Sequence, residues 1–308
     1  MYDLIIIGAG PAGMTAGVFA TRKGLKTAII SKDMGGQANW TTDIENYMGF
    51  TEIDGQALMD RFEAQVKEHQ LDEKKTDARM IRKDGDGFTV STAGQGDFEA
   101  RAVIVATGKR PRTLNVPGET EFRNKGVSYC STCDGPLFRN VPVAIVGGGN
   151  SALKAVFDLN HYASEIHLIS LTELTADAIF VKRLQDIPKV KQYIGHTVVE
   201  IKGGKLLERV VVERAEAKER FELPVQGLFV EIGLEPNTEF VEGLAEKTEN
   251  GEIIIDCECR TNIPGLFAAG DATTVPEKQI IIAAGEGAKA AINAWEYLLQ
   301  QIPVGVKH

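Results

Sequence analysis

The chain has 308 residues, of which 43% are hydrophobic and 25% charged, with 32 glycines; this fits a soluble globular protein with two cores and excludes a disordered or fibrous one. A formal net charge of −9 provides no basic patch for a phosphate backbone or anionic lipid, so no nucleic-acid or membrane partner is expected and a cytoplasmic setting is the default. Four cysteines are too few for a secreted disulfide scaffold, and in a reducing compartment a close pair points to catalysis or metal binding.

The apolar run at 4–7 is too short to span a bilayer, has no basic leader or cleavage site, and reads as a strand. It leads through Gly8-x-Gly10-x-x-Gly13 into an Ala-rich helix and a second strand ending at Ser31, the pattern of a dinucleotide-binding βαβ unit. Gly8 permits the tight turn, Gly10 lets a pyrophosphate approach, Gly13 allows close helix packing, and the helix N-terminus offers free N–H groups to the anion. A strand then ends in Ala106-Thr107-Gly108, and YCSTCDGPLF carries Cys130 and Cys133.

The βαβ pattern returns with a strand at 143–146, the turn Gly147-x-Gly149-x-x-Ala152 and a strand at 166–170, so two nucleotide sites are indicated. Farther on, a strand runs into Gly270-Asp271, where Asp271 can meet a sugar hydroxyl. The helix behind it can turn its amino end toward an electron-rich ring. Pro-bearing segments at 109–118 and 233–237 read as crossings between domains. The expected fold is α/β, with two doubly wound Rossmann-like domains, 1–112 with 243–308 and, inserted between them, 113–242.

Zinc needs four ligands at suitable spacing, and Cys257 and Cys259 lie far along the chain without a nearby histidine, so no metal is expected. That second pair reads as buried free thiols on one face of a strand. A Cys130–Cys133 bridge closes too small a loop to add much stability. Redox exchange fits: one thiolate attacks a partner disulfide, a second resolves the mixed disulfide, and a two-residue spacer brings the sulfurs within bonding range.

The motifs GAGPAG, GGQ at 35–37, ENY at 45–47, ATG, CSTCDG, GGGNSA and GLFAAGD, in this order over nearly the whole chain, resemble those of the low-molecular-weight thioredoxin reductases. The chain is also similar to the reductase portion of the flavoprotein partners of bacterial peroxiredoxins. The resemblance implies FAD in the first domain, a nicotinamide nucleotide in the second, a homodimer, and a cysteine pair passing electrons to a thioredoxin or thioredoxin-like protein. It implies that Gly8, Gly10, Pro11, Ala12 and Gly13 hold the FAD pyrophosphate, and that Gly36, Gln37, Asn46, Ala106, Thr107 and Gly108 line its site. Asp271, beside Gly270, would bind the ribityl chain, and Gln279 with Ile280 would meet the isoalloxazine edge. Gly147, Gly149, Asn150, Ser151 and Ala152 would hold the nicotinamide nucleotide. Cys133 would lie against the flavin, Cys130 would attack the partner, and Asp134 would protonate the leaving thiolate. The inserted domain would rotate about 109–118 and 233–237 between two poses.

Three departures stand out. Ser31 or Asp33 stands where a ribose-binding acid is often found, and Lys154 stands where such relatives place an acid. The segment 170–181 contains no arginine or lysine for a 2′-phosphate, so NADH is favoured over NADPH, although the strand ends in Ser170 where an acid for the ribose hydroxyls is expected and the nearest carboxylate is Glu173. Two readings stay open beside this one: a peroxiredoxin-system reductase acting through a separate thioredoxin- or glutaredoxin-like carrier, and a reductase fed by ferredoxin or a reduced flavin.

Overall fold

The computed structural model describes residues 1–41 and 44–301, which form two compact units: 1–40, 44–110 and 235 onward make the first, and 111–234 the second. In chain order the first stretch contains β1 (Tyr2–Ile7), α1 (Pro11–Arg22), β2 (Thr27–Ser31), α2 (Gly55–Lys67), β3 (Asp72–Lys75), β4 (Ala78–Asp84), β5 (Gly87–Thr92), β6 (Asp97–Val105) and β7 (Lys109–Pro111). The second unit adds β8 (Val127–Ser128), α3 (Ser131–Asp134), β9 (Pro142–Val146), α4 (Asn150–Leu159), β10 (Glu165–Ser170) and α5 (Ala178–Leu184). It continues with β11 (Val190–Ile194), β12 (His196–Gly203), β13 (Leu207–Arg214), β14 (Arg220–Pro224) and β15 (Gly227–Val230). Then come β16 (Leu234–Pro236), β17 (Leu266–Ala268) and α6 (Ile280–Gln300).

Among the described residues the first unit holds one sheet of order β3-β2-β1-β6-β5-β4, with β17 also paired to β6. Strands β3, β2, β1, β6 and β17 are parallel, and β4-β5-β6 are antiparallel. The run Leu4–Ile7 is buried on both faces, which is why it is continuously apolar rather than alternating. Leu4 and Ile6 join the helical layer of α1, α2 and α6, whereas Ile5 and Ile7 pack with Ile30, Val103 and Val105. The helices α1 and α6 cross on small residues: a Cβ on Gly287 would lie 2.0 Å from the Ala12 carbonyl oxygen.

The second unit repeats this plan with a parallel sheet, β11-β10-β9-β15-β8, and an antiparallel sheet, β12-β13-β14. Val143 and Ile145 face α4, and Ala144 and Val146 face the antiparallel sheet. In each unit the first strand of the βαβ motif, β1 or β9, has its partners on both sides. The chain therefore leaves it at a switch point, where the crevice outside the carboxyl ends of the strands receives a ligand.

The crossings fall at 110/111 and 234/235, inside the expected crossing segments 109–118 and 233–237, while the expected domain limits of 112/113 and 242/243 differ from them. The larger difference has a packing cause: Val241 and Ala245 are buried in the core of Ile5, Ile7 and Val105, so the segment after Pro236 belongs to the first unit.

Candidate active site

Gly8 ends β1 at φ +100°, and a Cβ there would lie 2.4 Å from the Ala106 carbonyl oxygen; on Gly13 it would lie 1.8 Å from the Gly8 carbonyl oxygen. Gly10 is different. A Cβ there would have nothing nearer than the Gly35 carbonyl oxygen at 4.0 Å. Gly10 also caps α1 without any side-chain hydrogen bond, so the turn is an open cradle under unsatisfied N–H groups, with Pro11 and Ala12 opening the helix. The donor set suits an anionic pyrophosphate.

The other residues expected at this site lie in the same unit. Gly35 N donates to Ala9 O at 2.8 Å, bringing the 35–37 loop, with Gly36 at φ +58°, beside Gly10, and the Gln37 amide donates to Lys109 O. Asn46 Nδ2 donates to Gln279 Oε1 at 3.0 Å, which joins ENY to the N-cap of α6 just before Ile280. Ala106 N bonds Ile7 O at 2.8 Å, Thr107 Oγ1 donates to Asn237 O at 2.6 Å, and Gly108 sits at φ +64°. Gly270 N donates to the buried Glu286 carboxyl at 2.9 Å. Burial pushes the Asp271 carboxyl up, against the pull of Lys278 and Lys109. These two lysines share Glu252, and burial with the nearby Lys109 holds the Lys278 ammonium below its usual range. Sequence reasoning missed this Lys109–Glu252–Lys278 cluster, because only the fold joins its members.

In the second turn, Gly147 at φ +143° would bring a Cβ to 2.3 Å from the Glu231 carbonyl oxygen, whereas one on Gly149 would meet only Thr175 Oγ1 at 3.8 Å. Gly149 caps α4 without a side-chain bond, and Ala152 takes the third glycine's place, fully buried. This cradle also fits a pyrophosphate. Thr175 N and Ala176 N donate to Gly148 O at 2.8 and 3.2 Å, and the Asn150 amide bonds both the Asp177 carboxylate and its backbone N–H, at 3.1 and 2.8 Å. Ser170 is buried and its hydroxyl donates to Thr172 O at 2.7 Å, within its own loop. Glu173 is exposed, as is Asp33 after β2, and Ser31 is half-buried.

Cys130 and Cys133 form a disulfide, with Cα atoms 5.3 Å apart, across the single helical turn α3, and both are half-buried. Ser128 Oγ accepts from Cys130 N at 3.1 Å and donates to Asp134 Oδ2 at 2.6 Å, which holds that carboxyl beside the pair. Ser131 Oγ and Thr132 Oγ1 both donate to Asp158 Oδ2 on α4, at 3.1 and 3.0 Å. Ser151 Oγ donates to Glu231, a residue that sequence reading passed over although it is a charge directly following the apolar GLFV. Burial pushes the Glu231 carboxyl up to about 7.

Cys257 and Cys259 depart from expectation. They lie in a turn and not on a strand, Cys257 is exposed, and only Cys259 is buried, at φ +64°. The Asp256 carboxylate accepts from Glu258 N and Arg260 N at 2.8 and 2.9 Å and so curls the chain out of the extended state. Among the described residues no group of three or more His, Cys, Asp or Glu could hold a metal ion, and no helix is long and apolar enough to cross a membrane.

Comparison with known proteins gives a consistent picture. The family model for pyridine nucleotide-disulphide oxidoreductases matches residues 2–294. The chain is 40% identical over 304 residues to a component of the alkyl hydroperoxide reductase of Pseudomonas putida, covering 97% of this chain and 58% of that one. It is 39% identical over 300 residues to a Bacillus subtilis (strain 168) NADH dehydrogenase, covering 97% and 59%. It therefore spans a little under three fifths of the length of these relatives. The solved thioredoxin reductase of Streptococcus pyogenes MGAS5005 superposes with a TM-score of 0.91 at 36% identity, covering 97% of this chain and 99% of that one.

Proposed function

Because the chain belongs to the pyridine nucleotide-disulphide oxidoreductase family, we propose that it is a flavin-dependent disulfide reductase that passes electrons from NADH to the disulfide of a thioredoxin-like protein. The observation that carries this reading is the Cys130–Cys133 disulfide on a one-turn helix in the same unit as the second glycine turn.

FAD, when bound, supplies a two-electron carrier between nucleotide and disulfide. The α1 N-terminus, with Gly8, Gly10 and Gly13, would hold its pyrophosphate, Asp271 its ribityl chain, and Gln279 and Ile280 its ring edge. Gln37, Asn46 and Ala106 to Gly108 would line the remainder. The α4 N-terminus at Gly149 to Ser151 would hold the nicotinamide nucleotide. With the pair reduced, the Cys130 thiolate attacks a sulfur of the partner disulfide and displaces one partner thiolate, which Asp134 would protonate. The Cys133 thiolate then attacks Cys130 Sγ, the second partner sulfur leaves as thiolate, and the Cys130–Cys133 bond re-forms. The 2′-hydroxyl nucleotide is favoured because the loop over the second turn presents Glu173 and Asp177 and no cation from 170 to 181.

A second reading is supported by the relatives that are components of alkyl hydroperoxide reductases: the acceptor would be the carrier of a peroxiredoxin system. In either case we assign a homodimer acting in the cytoplasm. The deciding experiment is anaerobic titration of the flavoprotein with NADH and separately with NADPH, with acceptor reduction assayed afterwards. Bleaching by NADH at much lower concentration, and loss of acceptor reduction with flavin retained in Cys130→Ser and Cys133→Ser, are expected. If neither nucleotide bleaches a flavin that dithionite does reduce, the nucleotide assignment falls and a carrier such as ferredoxin or a reduced flavin takes its place.

A further inference from the structure

Two carboxyl groups beneath the redox turn take no part in the chemistry above. Asp158, on α4, accepts from both hydroxyls that lie between the cysteines, Ser131 Oγ at 3.1 Å and Thr132 Oγ1 at 3.0 Å. Glu231 directly follows β15, beside Gly147, and its carboxyl accepts from Ser151 Oγ on α4. The Ser131 backbone N–H faces the same carboxyl, and Asp158 is the charged group acting on it. Ser131 is held through its hydroxyl by Asp158 and is buried, and Glu231 is tied to the same helix through Ser151. Ser131 directly follows Cys130, which caps the turn.

We propose that Asp158 and Glu231 are positioning residues that clamp the Cys130–Cys133 turn onto α4, and that their negative charge sets how readily the reduced cysteines ionise. A helix N-terminus normally favours a cysteine thiolate. Here the Cys133 N–H still donates to Cys130 Sγ at 3.2 Å, while Asp134, held beside the pair by Ser128, and the Asp158 and Glu231 carboxyls behind the turn oppose a developing thiolate. Reciprocally, a thiolate keeps the proton on Glu231, whose carboxyl already sits at about 7 because of its burial, with Asp158 adding to the effect and the Ser151 and Ser131 donors opposing it. Asp158 lies on the same helix whose first turn carries Asn150 and Ser151, and Glu231 bonds that Ser151, so the nucleotide cradle and the redox turn share one support.

This rests on the disulfide-reductase reading, yet its test needs neither nucleotide nor protein partner, so the two can fail separately. The full-length flavoprotein is reduced with dithiothreitol, freed of it anaerobically, and alkylated with iodoacetamide across pH 5 to 10, with modification measured per peptide. Exposed Cys257, in the other unit, is the internal control. Glu231→Gln and Asp158→Asn keep the acceptor oxygen and remove the charge. Each is expected to lower the alkylation midpoint of the 130/133 pair by about one pH unit, which is about tenfold faster modification below the midpoint, and to leave Cys257 unchanged. Profiles that superpose on the parent overturn the proposal, as does a lowered melting temperature without a shifted midpoint. Should both variants fail to fold, the parent decides: a midpoint within the range of about 3.5 to 7.5 usual for Cys-x-x-Cys thiolates overturns the clamp, and one above it supports it.

Discussion

The two glycine turns are built alike where they meet their own unit and differently where the loop after the second strand returns. In both, the first glycine is pressed against the backbone leaving a neighbouring strand, Gly8 against Ala106 O and Gly147 against Glu231 O, and the second glycine is open. In both, the carbonyl between these glycines accepts from the returning loop, Ala9 O from Gly35 N and Gly148 O from Thr175 N, each at 2.8 Å. The third position separates them. Helix α1 approaches so closely that a Cβ on Gly13 would lie 1.8 Å from Gly8 O, whereas α4 carries Ala152 there. The returning loops differ as well. The first brings Gly35 and Gly36, both at positive φ, and the second brings Thr175 and Asp177, with a carboxylate bonded to Asn150. Some glycines of a fingerprint therefore answer to the fold and others to a ligand.

The largest effect should come from breaking the close approach. Gly13→Ala forces a Cβ into backbone that cannot give, so it should cost at least about 3 kcal/mol and release FAD. The mirror change, Ala152→Gly, should cost only about 1 kcal/mol through helix propensity. Thermal unfolding with flavin content reads both, and equal costs would erase the distinction between the turns.

Next in size is the group behind the second turn. The Glu231 carboxyl is pushed up to about 7 by burial, so between its ordinary range and pH 7 the folded protein holds a proton that the unfolded chain has released. Stability is lost as pH rises through that window. Glu231→Gln should therefore be more stable than the parent at pH 8, by roughly 3 kcal/mol, and the gap should close toward pH 4.5. A gap independent of pH would mean that the carboxyl is ionised in the fold. At the first turn the residue against Gly8 is Ala106, and the carboxyls raised by burial, Asp271 and Glu286, stand instead at the corner before α6.

Much of this was legible in the sequence, and what was not has physical reasons. Both strand-glycine-helix units, the Gly270-Asp271 corner and α6 are written in local pattern, since apolar runs of the right length and glycines at fixed offsets need no tertiary information. The redox pair is equally local. The Asp158 and Glu231 contacts were invisible, because Asp158 meets Ser131 and Glu231 meets Ser151 only after α4, α3 and β15 have packed. The strand of the second unit ends in Ser170 and not in an acid, and the fold buries that hydroxyl on Thr172 O, a contact that only the loop's return creates. The Cys257 and Cys259 strand failed to form because the Asp256 carboxylate and a left-handed Cys259 make a turn. Burial then pushes the Cys259 thiol up to about 12, leaving it inert while Cys257 is exposed.

The smallest effect on stability should come from the second glycine of each turn, and it is the most informative about ligands. Gly10 and Gly149 have φ of −74° and −92°, which any residue adopts, and a Cβ on either would meet nothing closer than 4.0 and 3.8 Å. Nothing within the protein requires glycine at these positions. Glycine is preferred to alanine at a helix N-cap, so alanine should cost up to about 1 kcal/mol in the cofactor-free protein, offset in part by restricting the unfolded chain. What a methyl group does obstruct is the close approach of a pyrophosphate to the backbone. Gly10→Ala should therefore keep the melting temperature of the stripped protein within a few degrees while binding less FAD. Gly149→Ala should retain FAD fully while needing a higher NADH concentration to bleach it. If Gly149→Ala is bleached by NADH as readily as the parent, the second turn is not where the nucleotide sits, and its glycine is no more than a remnant of the pattern it shares with the first.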